Sequence, residues 1–305
     1  MKAAVVGLGT MGPGMAATLA RGGMDVRCHD VSAEQLAKAQ AEVETAFQVL
    51  DRIGGPAAAK RGEVSFEADL GRAVGDAEFV LESVPERLDV KSRVFAELDR
   101  LAPPATILAS NTSGIPITKL QEAVTRKGRV VGMHWSNPPQ VIPVIEVIAG
   151  AATSAATVEA TRSIVSGLGL LPVVVKQDVP GFVENRVLYA IMRECVSLVE
   201  KGVISAEELD TCVKWGIGFK LAVIGPMELL DVAGLDIYEA VASYLNADLD
   251  SSPGVSPYIT SRTREQRLGM KTGRGIYDYT PERIRELRAA RAGKLVAVRK
   301  TLEGR

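Results

Sequence analysis

Residues 2–12 read K-A-A-V-V-G-L-G-T-M-G, and residues 13–19 continue as P-G-M-A-A-T-L. The first five have the length and apolar character of a buried strand, and they empty into a loop with G-x-G-x-x-G spacing: Gly7, Leu8, Gly9, Thr10, Met11, Gly12. Gly7 permits a tight turn, Gly9 lets the backbone approach a pyrophosphate, and Gly12 lets the following helix pack close to the strand. Pro13 suits the first turn of a helix, where its missing N–H costs nothing. A second strand, Asp25 to Asp30, ends eighteen residues after Gly12 in a carboxylate placed to accept hydrogen bonds from an adenosine ribose diol. The same charge repels a 2′-phosphate, so the expected cofactor is NAD rather than NADP. Glycine-rich turns also join strands to helices for steric reasons alone. Here strand, triplet, helix, second strand and terminal acid follow in the required order within thirty residues, which decides for the dinucleotide.

Outward from that stretch, strands and helices alternate. A helix is expected over Ala33 to Ile53, a Gly-Gly-Pro break at 54–56, and a strand near Val64 to Phe66. A strand over Glu78 to Val84 ends in E-S-V-P-E, and the run from Arg87 to Leu101 has the apolar spacing of an amphipathic helix. A strand over Thr106 to Ala109 empties into S-N-T-S-G, and helix Thr157 to Leu168 with strand Leu170 to Val175 closes this part. From D-V-P-G at 178–181 the character changes to almost wholly helical. The long helix Phe182 to Lys201 is followed by Ala206 to Trp215, Met227 to Asp231, Asp236 to Leu245, Pro257 to Leu268, and a last helix from Pro281 capped by Thr280. The fold class is α/β, a Rossmann-type doubly wound sheet followed by an all-α C-terminal domain. The expected domains are 1–178, binding NAD, and 179–305, binding substrate and a second subunit.

Only two histidines occur, His29 and His134. His134 lies in the β-branched run Val130 to His134, and a second such run spans Val144 to Ile148; the prolines of S-N-P-P-Q-V-I-P between them forbid a continuing helix. If the runs pair as an antiparallel hairpin centred near Gln140, His134 faces Glu146. Facing Cβ atoms lie about 4.5–5.5 Å apart, within reach of a carboxylate–imidazole hydrogen bond. Neutral imidazole, with an ordinary pKa of about 6.5, accepts a hydroxyl proton near neutrality while hydride leaves the same carbon for a nicotinamide. Glu146 would fix the tautomer and stabilise the imidazolium. The combination reads as oxidation of an alcohol. His29, beside Asp30, reads as a neighbour of the adenosine site or an exposed residue.

Composition limits the alternatives. The 305 residues exceed the size at which single cores stop growing, and 47% hydrophobic and 24% charged residues with a net charge of −1 describe an ordinary globular protein. Neither a nucleic-acid partner nor a membrane surface is expected, and the basic last helix reads as a solvated face or a subunit contact. Cys28, Cys195 and Cys212 lack paired metal-ligand spacing and read as buried, reduced thiols. With no signal peptide evident at the start, they suggest the cytoplasm. Leu188, Ile191, Cys195, Leu198 and Val199 recur at helical spacing, more apolar surface than a thin bundle covers, so a homodimer through the helical domain is expected.

G-L-G-T-M-G, E-S-V-P-E, S-N-T-S-G, H-W-S-N-P-P, V-I-E-V-I, D-V-P-G-F-V-E-N-R and K-T-G-R-G-I-Y-D-Y, in this order, resemble the 3-hydroxyacyl-CoA dehydrogenase family from end to end. The resemblance implies His134 as catalytic base, Glu146 as its partner, Ser113 as a hydrogen-bond donor to the reacting oxygen, and Asn185 lining the same cleft from the helical domain. It also implies that Glu86, Lys91, Ser113, Asn137 and Lys271 touch NAD. A purely structural, crystallin-like nucleotide binder would have no need of His134, Glu146, Ser113 and Asn185 together.

Departures from the acyl-CoA pattern bear on the substrate. Trp135, Ser136 and Asn137-Pro138-Pro139 replace the usual residues after the histidine, and G-F-K-L-A-V-I-G-P with Lys220 resembles the L-gulonate 3-dehydrogenase and lambda-crystallin branch. The style of H-W-S-N-P-P and V-P-G-F-V-E-N-R also resembles pyridine aldehyde-acid dehydrogenases of vitamin B6 breakdown. These features imply a small free acid, with Lys220 neutralising its carboxylate. A hydroxyl, or an aldehyde carried as its hydrate, would then be oxidised. The alternative is an L-3-hydroxyacyl-CoA substrate.

Overall fold

The computed structural model describes residues 1–54 and 57–304, so Gly55 and Pro56 of the expected break after the first long helix lie outside the described residues. The chain forms two compact units, Met1–Arg186 and Val187–Arg305.

The first unit runs β1 (Lys2–Val6), α1 (Gly12–Arg21), β2 (Asp25–His29), α2 (Ala33–Ile53), β3 (Val64–Glu67), α3 (Leu70–Val74), β4 (Phe79–Glu82) and α4 (Leu88–Leu101). It continues through β5 (Ile107–Ser110), α5 (Ile117–Gln121), β6 (Val130–Trp135), β7 (Val144–Ile148), α6 (Ala155–Gly167) and β8 (Leu171–Val175). The strands make one sheet in the order β3-β2-β1-β4-β5-β6-β7-β8. Every neighbouring pair is parallel except β6 and β7. The chain therefore reverses its winding between β1 and β4, where such sheets open a ligand crevice at the carboxyl ends of the strands.

Alternation along the central strands explains why both faces carry helices. Ala3, Val5 and Leu81 point into one apolar cluster with Met15, Leu19 and Phe47 of α1 and α2. Ala4, Val6 and Val80 point into the other, with Phe95, Leu98 and Leu120 of α4 and α5. A strand has period two, so a continuous apolar run buries residues on both sides, each large side chain contributing about 1.5–3 kcal/mol. Serine caps hold two of the helices: Ser32 accepts from the Gln35 N–H and Ser154 from that of Thr157. The short helices α3 and α5 were not anticipated, since five residues hold too little of a 3.6-residue period to be read.

α7 (Glu184–Glu200) begins at the end of the first unit and continues into the second. There follow α8 (Ala206–Cys212), a π-helical turn over Val213–Gly218, α9 (Phe219–Leu221), α10 (Pro226–Ala233), α11 (Leu235–Asp248), α12 (Pro257–Arg264) and α13 (Pro281–Leu302). The helix expected to run unbroken to Trp215 loosens at Val213, where V-K-W-G-I-G offers β-branched residues and glycines in place of good helix formers. Thr280 caps α13 through the Arg283 N–H, as expected.

The three cysteines are unpaired, but only Cys28 is buried; Cys195 is half-buried and Cys212 exposed, which corrects the expectation of three buried thiols. Burial pushes the Cys28 thiol up to about 12, leaving it unreactive. Among the described residues no helix is long and apolar enough to cross a membrane.

Candidate active site

The fingerprint loop is wedged into the reversal point of the sheet. Gly7 takes φ +98°, and a Cβ there would lie 2.6–2.7 Å from the backbone of Ser83 and Val84 just past β4. Its N–H donates to the His29 carbonyl at 2.8 Å, while the Leu8 N–H donates to Asp30 Oδ2 at 2.9 Å and Gln35 Nε2 to the Leu8 carbonyl at 2.7 Å. The loop and the acid just after β2 are thus tied together. Gly9 and Thr10 are exposed, and a Cβ on Gly9 would meet nothing within 4 Å. α1 starts without a side-chain cap or an acid in its first turn, so no side chain of that turn offsets its positive end. An uncapped helix start beside an exposed glycine loop is the donor set that suits a diphosphate. His29 is neither exposed nor free: it is buried, with Nδ1 3.0 Å from the Glu67 carbonyl oxygen.

His134 sits near the carboxyl end of β6, on the same edge of the sheet as this loop. The hairpin has the register expected from its symmetry, His134 opposite Glu146. His134 Nδ1 lies 2.8 Å from Glu146 Oε2, and both side chains are buried, at 6% and 2% exposure. A carboxylate only accepts, so Nδ1 carries the proton and Nε2 is left with a free lone pair. Glu146 Oε1 accepts from the N–H groups of Val183 (2.9 Å) and Glu184 (3.1 Å), at the start of α7. Burial by itself raises the Glu146 carboxyl, but the hydrogen bonds from His134 and from those two N–H groups outweigh it and hold it below the ordinary glutamate value. Delivering both N–H groups requires a sharp turn, in which Gly181 has φ +77° and Phe182 has φ +48°. A left-handed phenylalanine is strained and persists because its ring is fully buried, 6.1 Å from the His134 ring.

A buried ionic chain underlies the next two loops of that edge. Glu82, at the end of β4, is sealed from solvent and accepts from Lys91 Nζ (2.7 Å), Ser110 Oγ (2.6 Å) and the Val84 N–H (2.7 Å). Lys91 Nζ also reaches the Val84 carbonyl at 3.2 Å and Glu86 Oε2 at 3.4 Å. Its donors are engaged within the fold and its side chain is 1% exposed. The lysine expected to touch NAD is thus held among Glu82, Val84 and Glu86. Glu86 Oε1 in turn accepts from Thr112 Oγ1 (2.6 Å), the Ser113 N–H (2.9 Å) and the Gly114 N–H (3.1 Å). The exposed residue Ser113 thereby has a fixed backbone, and its carbonyl accepts from Asn185 Nδ2 at 2.8 Å. Asn185 lies in the first turn of α7, just inside the first compact unit.

Asn137 is exposed at the start of the loop joining β6 to β7. Lys220, in α9, and Lys271, in the turn before α13, are exposed residues of the second unit. Four residues of the site escaped the sequence. Glu82 was hidden within E-S-V-P-E, and Ser136 and Glu184 within quoted motifs, though each is a polar residue at the end of an apolar strand or the start of a helix. Gly14 lies just beyond the triplet: a Cβ there would meet Gln140 Oε1 at 2.6 Å and Pro139 Cγ at 2.7 Å, so the hairpin loop presses directly on the cofactor helix.

A dinucleotide cradle and a buried imidazole–carboxylate pair on one edge of a doubly wound sheet define an NAD-dependent dehydrogenase, and comparison with known proteins gives its family. Residues 2–179 match the NAD-binding domain of 3-hydroxyacyl-CoA dehydrogenase and residues 181–279 its C-terminal domain, so the chain belongs to the 3-hydroxyacyl-CoA dehydrogenase family. It is 55% identical over 303 residues, 99% of this chain and 98% of the relative, to 5-formyl-3-hydroxy-2-methylpyridine 4-carboxylate 5-dehydrogenase of Mesorhizobium japonicum. A crystal structure of an enzyme of that name, described as an NAD+-dependent dismutase, matches with a TM-score of 0.97 at 55% identity, covering 100% of this chain and 99% of that one. A probable 3-hydroxybutyryl-CoA dehydrogenase of Bacillus subtilis is 36% identical over 90% of this chain and 96% of its own.

Proposed function

We propose that this dehydrogenase oxidises a small carboxylated substrate, with 5-formyl-3-hydroxy-2-methylpyridine-4-carboxylate, an intermediate of vitamin B6 breakdown, as the molecule it takes. The observation that carries the chemistry is the 2.8 Å contact between His134 Nδ1 and Glu146 Oε2 at the carboxyl edge of the sheet. The choice of substrate rests on the 55% identity to the Mesorhizobium enzyme. Nε2 of His134 accepts a hydroxyl proton, and Glu146, kept ionised, orients the ring and stabilises the imidazolium. An aldehyde offers the same proton once hydrated, and its product is a carboxylic acid. NAD, when bound, supplies the hydride acceptor; Gly7 to Gly12 and Asp30 hold its diphosphate and adenosine ribose, with Glu86, Asn137 and Lys271 as further contacts. Ser113 donates to the reacting oxygen, Asn185 keeps Ser113 in place, and Lys220 neutralises the substrate carboxylate.

Turnover of this pyridine aldehyde acid, of sugar acids and of acetoacetyl-CoA, followed by nicotinamide absorbance, tests the reading. The free aldehyde acid is expected to turn over, and Lys220→Ala to raise its KM about 10–100-fold, the worth of a hydrogen bond to a charged group. Strong CoA-ester activity unchanged by Lys220→Ala defeats it and favours the 3-hydroxyacyl-CoA alternative, for which the Bacillus relative speaks.

The working form is a homodimer joined through the second unit. Both apolar core clusters lie within residues 3–182, while Tyr189, Trp215, Phe219, Met227 and Val232 are each more than 60% exposed. Apolar surface on that scale is what a second copy covers. Sedimentation at micromolar concentration is expected to give twice the chain mass; a monomer counts against it. The unpaired thiols support a cytoplasmic location.

A further inference from the structure

We propose that Glu184, held by Ser136, is the acceptor for the second hydroxyl of an aldehyde hydrate, the feature that adapts an alcohol-oxidising His–Glu pair to aldehydes. This rests on the hydrate reading above. Ser136 directly follows β6, two residues beyond His134, and its Oγ donates to both Glu184 oxygens, at 2.6 and 2.5 Å. A ring nitrogen of His134, an oxygen of Glu146 and an oxygen of Glu184 lie within 4.8 Å of one another. Two carboxylates therefore attend one imidazole, yet they are differently engaged. Glu146 accepts from His134 and two backbone N–H groups. Glu184 has one neutral hydroxyl for a partner and, among the described residues, no Lys or Arg.

A carboxylate has about four lone-pair positions, and a single hydroxyl proton leaves most of them unfilled. A first-turn glutamate also complements the dipole of α7. That role explains the charge, but neither the serine seated between its oxygens nor its nearness to the base.

An alcohol presents one hydroxyl to the base, whereas a hydrate, R–CH(OH)2, presents two on the same carbon. In its oxidation one hydroxyl proton passes to His134 as that oxygen becomes the carbonyl, and the carbon-bound hydrogen leaves with its electron pair for the nicotinamide. The second hydroxyl stays on carbon and becomes the OH of the acid. Each hydroxyl reaches about 2.7 Å to its acceptor, so a geminal pair can span an imidazole and a carboxylate as near to each other as those of His134 and Glu184. The second hydroxyl grows more acidic as the carbon approaches the acid level. Its bond to a carboxylate therefore strengthens toward the transition state and acts on rate, not on binding alone. Reduction of the free aldehyde involves a single oxygen and makes no such demand.

Glu184→Gln keeps the backbone N–H that serves Glu146 and separates the two directions. The ratio of NAD-driven oxidation to NADH-driven reduction of the same pyridine aldehyde acid is expected to fall on the order of 10–100-fold, with Ser136→Ala shifting it less in the same direction. As a second readout, 13C NMR of substrate labelled at the aldehyde carbon, bound with NAD to His134→Gln, is expected to show a smaller hydrate fraction when Glu184 is also replaced by Gln. An unchanged ratio, whether both rates hold or fall together, overturns the proposal while leaving the hydrate reading intact. Failure of the unsubstituted enzyme to oxidise any aldehyde removes the hydrate reading itself, and this proposal with it.

Discussion

Replacing His134 with glutamine is expected to lower NADH formation by roughly a hundredfold to ten-thousandfold, the usual worth of a positioned general base. Glutamine still donates to Glu146 and fills most of the space, so fold and NAD affinity should stay close to those of the unsubstituted protein. What is lost is an acceptor able to take a full proton. Glu146→Gln removes the charge that fixes the tautomer, and because the two residues act as a unit the double substitution should cost little more than His134→Gln alone. Steady-state rates together with NAD titration by fluorescence check this. A His134→Gln enzyme working within a few-fold of the original rate would remove the base from the mechanism, whatever the contact distances.

Lys91→Met is expected to be the most damaging single change to stability. It leaves Glu82 without its cation, with Ser110 Oγ and the Val84 N–H as its remaining partners in a site closed to solvent. Breaking a buried pair by removing one partner costs about 3–5 kcal/mol. In a unit of this size that is roughly 10 °C of melting temperature. Replacing both members, Lys91→Met with Glu82→Gln, removes the stranded charge and should recover much of the loss, a coupling that a double-mutant cycle reads directly. The single variant should also weaken NAD binding, because Glu86 loses its cation and with it some hold on the backbone of Ser113 and Gly114. A Lys91→Met protein that melts within about 2 °C of the original would mean that the ammonium carries no such weight.

These two residues were unequally visible beforehand. His134 could be paired with Glu146 from the chain alone: two β-branched runs flank a proline-broken loop, and the midpoint of that symmetry dictates which residues face each other. The observed register agrees. Lys91 offered no comparable sign. It lies on a helix whose apolar spacing was read correctly, but a lysine on a helix is ordinarily a solvated residue, and only the close approach of α4 to the end of β4 turns it inward. The setting of Asn185 also turns on a tertiary contact. The change to helical character at D-V-P-G was read as the domain boundary; the first compact unit runs on to Arg186, with Glu146 accepting from the N–H groups of Val183 and Glu184.

By itself the sequence determined what repeats at short range or is fixed by local stereochemistry. This includes the strand–glycine–helix opening, Asp30 just after β2 and the alternation that demands a sheet buried on both faces, together with the hairpin that sets His134 against Glu146. Only the tertiary structure decided which loops meet. Ser136 meets Glu184 across 48 residues, Glu82 meets Ser110 across 28, and Ser113 meets Asn185 across 72. Such contacts follow from strand order and from where each loop leaves the sheet. They impose no period on the chain, because a single hydrogen bond between distant segments constrains two residues and leaves their neighbours free.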